Sequence, residues 1–190
     1  MKLYQNLVIA ASLSLAALCS HAEDQTNNIS LIGNPSVGMS AGLSNPSGTA
    51  VNHVLSGIFT DTFTFSTFSG NGVIDVWLDT SVSGGNEATQ QIIFTSATLN
   101  GIALTIDPDY TSGNTTFRSA GLFQVDTSGP LTLVVNGYAG LLDDVGRQIS
   151  ASYSGGINVT PVPVPEPTQS ALLLAGLGAV GLVARRRLKR

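Results

Sequence analysis

Asp75-Val76-Trp77-Leu78-Asp79 sets the only tryptophan of the chain between two carboxylates. Alternate residues of a strand share a face, so Trp77, Asp75 and Asp79 point one way. Ile74, Val76 and Leu78 point the other way, toward a core. A ring can stack on a sugar, and carboxylates bond its hydroxyls, which makes this triplet a candidate glycan contact. The same pattern also suits a half-buried aromatic that covers a sheet edge. Asp107, Asp109, Asp143 and Asp144 add further carboxylates. A glycan hydrolase needs one such group as acid and one as base or nucleophile, but no spacing here singles out a pair.

Other chemistries are poorly provided for. The only histidine beyond position 21 is His53, in Asn52-His53-Val54, where it reads as a solvated loop or strand residue. No arrangement linked to a base singles out a serine nucleophile. Asp107-Pro108-Asp109-Tyr110-Thr111-Ser112-Gly113 lacks the glycine position and the closing glutamate of a calcium loop, so it reads as a proline-containing turn. Gly176-Leu177-Gly178-Ala179-Val180-Gly181 has the spacing of a dinucleotide fingerprint. It lacks the surrounding βαβ unit and the acidic residue about 20 positions on that the motif requires. We expect no cofactor, no metal and no catalysis.

Charge narrows the partners. Between Glu23 and Pro165 there are eleven acids, two bases (Arg118 and Arg147) and no lysine, a net charge of −9. A nucleic-acid ligand needs a positive face, so that class is excluded. The composition repels anionic polymers as well.

These side chains must be positioned by strands. From Val51 onward, short runs rich in Thr, Val, Ile and Phe alternate with turn residues, which predicts strands at 58–65, 73–79, 91–99, 102–106, 116–125, 131–138 and 149–159. Asn100-Gly101 fits the positive φ angles of a two-residue hairpin turn. With about seven strands and no helical periodicity, the expected body is all-β, an antiparallel β-sandwich with a barrel as runner-up. Residues 51–160 form this body, and 23–50, rich in Asn, Ser, Gly and Pro, form a flexible lead-in. Within Phe59-Thr60-Asp61-Thr62-Phe63-Thr64-Phe65, Asp61 shares a face with the phenylalanines. An unpaired carboxylate there is costly. Three structural solutions are open: bonds from backbone N–H groups, a pair with Arg118 or Arg147, or a bulge that turns it outward. A calcium ligand is the functional one.

Both ends of the chain carry addresses. Lys2, the apolar run 7–18 and Ser20-His21-Ala22 form a secretory signal over 1–22, cut after Ala22 by signal peptidase. Its removal takes away Cys19, the only cysteine, and with it any thiol chemistry. At the other end, residues 161–190 order prolines, an apolar run and a basic cluster that includes Arg185, Arg186 and Arg187. The run 168–184 is 17 residues long, or about 25 Å of helix against a bilayer core of about 30 Å. It is therefore only just long enough to span as one short transmembrane helix. The basic cluster holds on the cytoplasmic side, leaving the body outside.

Val164-Pro165-Glu166-Pro167, the apolar helix and the three arginines together closely resemble the PEP-CTERM sorting signal of Gram-negative bacteria. The body resembles the FxDxF type of PEP-CTERM protein, with Phe59, Asp61 and Phe63 as its hallmark. The stretches 131–137 and 152–159 are similar to that group's closing strands. The resemblance implies processing by exosortase, a membrane-embedded enzyme that recognises Pro165, Glu166 and Pro167. Transient anchoring in the inner membrane would then be followed by transfer to the cell surface or extracellular matrix. It also implies a structural or adhesive role beside exopolysaccharide in a biofilm. A carbohydrate-binding module is the alternative.

Overall fold

The computed structural model describes residues 22–43, 50–162 and 167–187. The strands are β1 (Thr26–Asn28), β2 (Ile32–Asn34), β3 (Gly38–Leu43), β4 (Val51–Leu55), β5 (Gly57–Phe65), β6 (Asn71–Ser83) and β7 (Ile92–Leu99). They continue with β8 (Ile102–Ala103), β9 (Thr105–Ile106), β10 (Tyr110–Ser112), β11 (Thr115–Ser128), β12 (Leu131–Ala139) and β13 (Gln148–Pro161). A single helical turn, α1 (Glu87–Gln90), precedes β7, and α2 (Pro167–Arg187) closes the chain.

Two sheets face each other in a sandwich. The smaller has the order β1-β5-β12-β7-β8, and the larger runs β10-β11-β6-β13-β3-β2 with β4 on β13 and β9 on β11. Among the described residues all pairings are antiparallel except β1 with β5. The expected sandwich is therefore what forms, and it does not close into a barrel. The alternation explains why. Phe59, Phe63, Phe65, Leu131, Leu133 and Val135 come from the smaller sheet, and Ile74, Val76, Leu78, Ile157 and Val159 from the larger. All lie in one buried cluster, while intervening residues face outward. Asn100 and Gly101 take φ of 49° and 82° in the hairpin between β7 and β8, as their residue types predict.

Two expectations need correction. The segment 23–50 is no flexible lead-in over its described part, because β1 adds to one sheet and β2 and β3 to the other. Leu31, Met39 and Leu43 enter the core. The polar composition concealed this because β1 and β2 are edge strands with one wet side, and mostly backbone bonds hold them. The helix-free body also contains α1, too short to leave a periodic signature. The signal segment 1–21 lies outside the described residues. Ala22, its expected last residue, is buried, and its N–H donates to the Ile58 carbonyl at 2.7 Å. A cut after Ala22 would remove this contact.

Glycine shapes the interior at one close approach. Gly137 of β12 lies opposite Phe59 of β5. A Cβ there would run into the Phe59 ring and stand 2.6 Å from the Ile93 carbonyl oxygen. Backbone on one side and a fully buried ring on the other leave nowhere to yield. Gly137→Ala is expected to destabilise the body by about 1–3 kcal/mol through overpacking. A urea melt would show this as a lower midpoint at unchanged slope.

Candidate functional site

The buried polar centre of the sandwich is Asp61 on β5. Its side chain is fully buried, yet it is well supplied with donors. The Gln25 N–H donates to Oδ1 at 2.8 Å, the Tyr153 hydroxyl donates to Oδ2 at 2.6 Å, and His53 Nε2 lies 3.1 Å from Oδ2. His53 Nδ1 is 3.1 Å from the Glu23 carbonyl oxygen. A carbonyl and a carboxylate only accept, so the bond to Glu23 forms in the tautomer with its hydrogen on Nδ1 and the bond to Asp61 in the one with its hydrogen on Nε2. His53 lies on β4 and Tyr153 on β13, both in the larger sheet, whereas Asp61 belongs to the smaller one. The carboxylate pins one sheet to the other and fixes the backbone that leads into β1.

Aromatic packing completes this centre. His53 stacks on Phe59 with ring centroids 4.2 Å apart, and Phe94 meets Tyr153 edge-on at 5.5 Å. Burial, then the negative charge of Asp61 and the hydrogen bond to it, hold the Tyr153 hydroxyl well above the ordinary tyrosine range. Phe59, Asp61 and Phe63 all have no exposed surface. They pack the core and pin the two sheets together.

Of the solutions open for Asp61, the backbone N–H bond is realised. The arginine pair is not, because Arg118 binds Asp109 and Arg147 binds Asp144. No bulge turns Asp61 outward. Among the described residues no three His, Cys, Asp or Glu side chains gather in a metal-binding group. His53 is not the solvated residue its neighbours suggest. It is fully buried and, with Tyr153, is the part of the site that reading the sequence missed. The alternation Ile149, Ala151, Tyr153 was the available signal for the tyrosine. Nothing local marks His53 apart from its place two residues after the buried Val51.

The outer face of the larger sheet carries the second set. Ile74, Val76 and Leu78 are fully buried, and Trp77 and Asp75 are half-buried on the opposite face with exposed Asp79, as alternation requires. Trp77 pairs with Gly121 of β11 on one side and Gly156 of β13 on the other. Its six-membered ring lies over Gly156, where a Cβ would come within 2.5 Å of Cζ2. Asp75 Oδ1 accepts the Gln124 N–H at 2.7 Å. Burial, then the charge of Asp107, push the Asp79 carboxyl above its usual range. Asp79 also lines a surface cleft with Ser81, Phe117 and Ser154.

In the C-terminal segment Pro165 and Glu166 lie outside the described residues. Pro167 opens α2, which runs through Arg185, Arg186 and Arg187. Leu172, Leu173, Leu174, Leu177 and Val180 are all exposed, so this helix has an unburied apolar surface. Among the described residues no helix is long and apolar enough to cross a membrane. The side chains at both ends of the anticipated span, 168–170 and 181–184, are not described.

Residues 163–187 match the family model of the PEP-CTERM protein-sorting motif. No curated protein matches the chain. Among solved structures, the crystal structure of Aeromonas hydrophila PliG, a periplasmic lysozyme inhibitor of g-type lysozyme, is similar at 10% identity. The likeness covers 73% of this chain and 100% of that one at a TM-score of 0.24, a score too low to carry any argument.

Removing the pin tests its role. Asp61→Ala strands a buried histidine, a phenol and a backbone N–H, and is expected to cost about 3–5 kcal/mol. Tyr153→Phe keeps the ring but removes one charge-assisted bond, for about 1.5–3 kcal/mol. Urea unfolding of both variants checks the order. The folded state binds the Tyr153 proton more tightly than the unfolded chain does. This contribution is therefore complete below the unfolded tyrosine range and is lost as pH rises through the higher folded value. The parent melting temperature should fall there, and that of Tyr153→Phe should fall less.

Proposed function

The chain carries a PEP-CTERM protein-sorting motif, which implies export and processing by exosortase, and from that premise we propose a non-catalytic surface or matrix protein that associates with extracellular polysaccharide. The signal over 1–22 would bring it through the inner membrane and be removed by signal peptidase. The helix α2 would hold the body there while exosortase engages Pro165, Glu166 and Pro167. Alternating prolines at 161, 163, 165 and 167 favour an extended backbone, the form in which an enzyme grips a peptide. On this reading Phe59, Asp61 and Phe63 place the body in the FxDxF type, their shared role being the inter-sheet pin.

One observation carries the polysaccharide reading: Trp77 lies on an outer sheet face between two carboxylates, held by a rigid strand. The acid–base groups of the molecule support a non-catalytic body, because the cluster of Asp61, His53 and Tyr153 has no access to solvent. Hydrolysis would have to use surface aspartates, and Asp75, Asp107 and Asp109 already accept hydrogen bonds within the fold.

Two measurements test the proposal. Pro165→Ala with Pro167→Ala should leave the tail attached, so the intact mass of the surface-recovered protein would retain residues up to Arg190. Normal trimming of that variant would remove the recognition role. Retention of the parent on the producing cell's own polysaccharide should fall with Trp77→Ala, and unchanged retention would refute a contact centred there.

A further inference from the structure

The outer face of the larger sheet holds a second aromatic beside Trp77. Phe123 of β11 is 62% exposed, and its ring leans back over Gly121, where a Cβ would come within 2.5 Å of Cε2. Gly121 and Gly156 are the two register partners of Trp77. One cross-strand row therefore reads Gly121 under Phe123, then Trp77, then Gly156 under the indole. The two covered glycines are two strands apart, so the rings sit about 10 Å from each other at about 4.8 Å per strand. That is the length of two consecutive units of an extended pyranose chain.

The backbone is bent to place Phe123. The pairing of β11 with β6 slips between Leu122 and Val125, setting Phe123 and Gln124 opposite the single residue Asp75. Gln124 takes a φ of 54°, a region disfavoured for a residue with a side chain. Asp75 holds the strained turn by accepting the Gln124 N–H. Bulges of this kind re-aim side chains, and local strain gathers where function needs it. Covering a glycine with a neighbouring ring can be purely structural, as Phe59 over Gly137 is in the core. There the ring is fully buried. Phe123 leaves most of its surface in water, so packing alone does not account for it.

Polar rows flank the two rings. Ser119, Asp79 and Ser154 are aligned on one side, and Asp75, Asn158 and Ser40 on the other. Such rows suit the hydroxyls at both edges of a glycan running across the strands. The net charge of −9 between Glu23 and Pro165 opposes uronate or sulfate groups. We infer that Phe123 and Trp77 form a paired stacking platform for a neutral, linear polysaccharide lying perpendicular to the strands, with Asp75 as the positioning residue for Phe123. This rests on the polysaccharide reading above and adds the second contact, the direction and the charge class.

Calorimetric titration of the full chain is the test. The probes are neutral cello-, xylo- and manno-oligosaccharides of increasing length, an alginate oligosaccharide, and the producing cell's own polysaccharide. Affinity is expected to rise steeply once the oligosaccharide reaches both rings, with no binding of alginate. Phe123→Ala and Trp77→Ala should each weaken binding about tenfold, and Phe123→Trp should retain it. Circular dichroism and melting temperature confirm that the variants stay folded. A loss with Trp77→Ala but none with Phe123→Ala overturns the paired platform and leaves the single contact standing. Preferential binding of alginate overturns the charge class. No binding of any probe by the parent overturns the polysaccharide reading itself, and this inference with it.

Discussion

A single buried carboxylate sets the architecture. Asp61 lies on the inner face of the smaller sheet among phenylalanines, where an unpaired charge would be prohibitive. The fold answers with donors from three directions: a tyrosine and a histidine of the larger sheet, and a backbone N–H of the incoming chain. Apolar contact between sheets has no direction and tolerates sliding. These hydrogen bonds do not, so they fix how β5 sits over β4 and β13. The chain from Glu23 to Gln25 is tied to the same point, through the Glu23 carbonyl and the Gln25 N–H. The start of the body and its two sheets thus share one anchor.

Much of this was open to reading in the residues. Strands with a hydrophobic face, such as β5, β6, β12 and β13, show as alternation, and Asn100-Gly101 marks its hairpin. The outward placement of Trp77, Asp75 and Asp79 follows from the same alternation. What escaped is non-local. The polar edge strands β1 to β3 have little apolar pattern because neighbouring backbones do much of the stabilising. His53 looks solvated because its partners are 8 residues away at Asp61 and 30 away at Glu23, and neither separation leaves a mark in local sequence. Phe123 follows the strand pattern poorly because a bulge interrupts the pairing at that point.

The molecule uses one steric device on both faces. Where a ring lies flat on the sheet, the backbone beneath it is glycine: on the neighbouring strand for Gly137 beneath Phe59 inside and Gly156 beneath Trp77 outside, and on the same strand for Gly121 beneath Phe123. Inside, the device packs a stacked aromatic centre around Asp61. Outside, it lays rings along the sheet rather than on end. The two uses meet across β13, which supplies both Tyr153 to the core and Gly156 to the surface.

The position of β13 governs how the body bears tension. The C-terminal segment leaves directly from the end of this strand, and the Val162 N–H is still bonded to the Asn71 carbonyl. Over its second half β13 is flanked by β3 and β6. A tug on the tail therefore runs along the strand axis and strains many ladder bonds at once, in shear, instead of peeling them one after another. Trp77 lies on the adjacent β6, so a polymer held there would pass its load through a single strand boundary, and the sheet would act as a stiff link between tether and polymer.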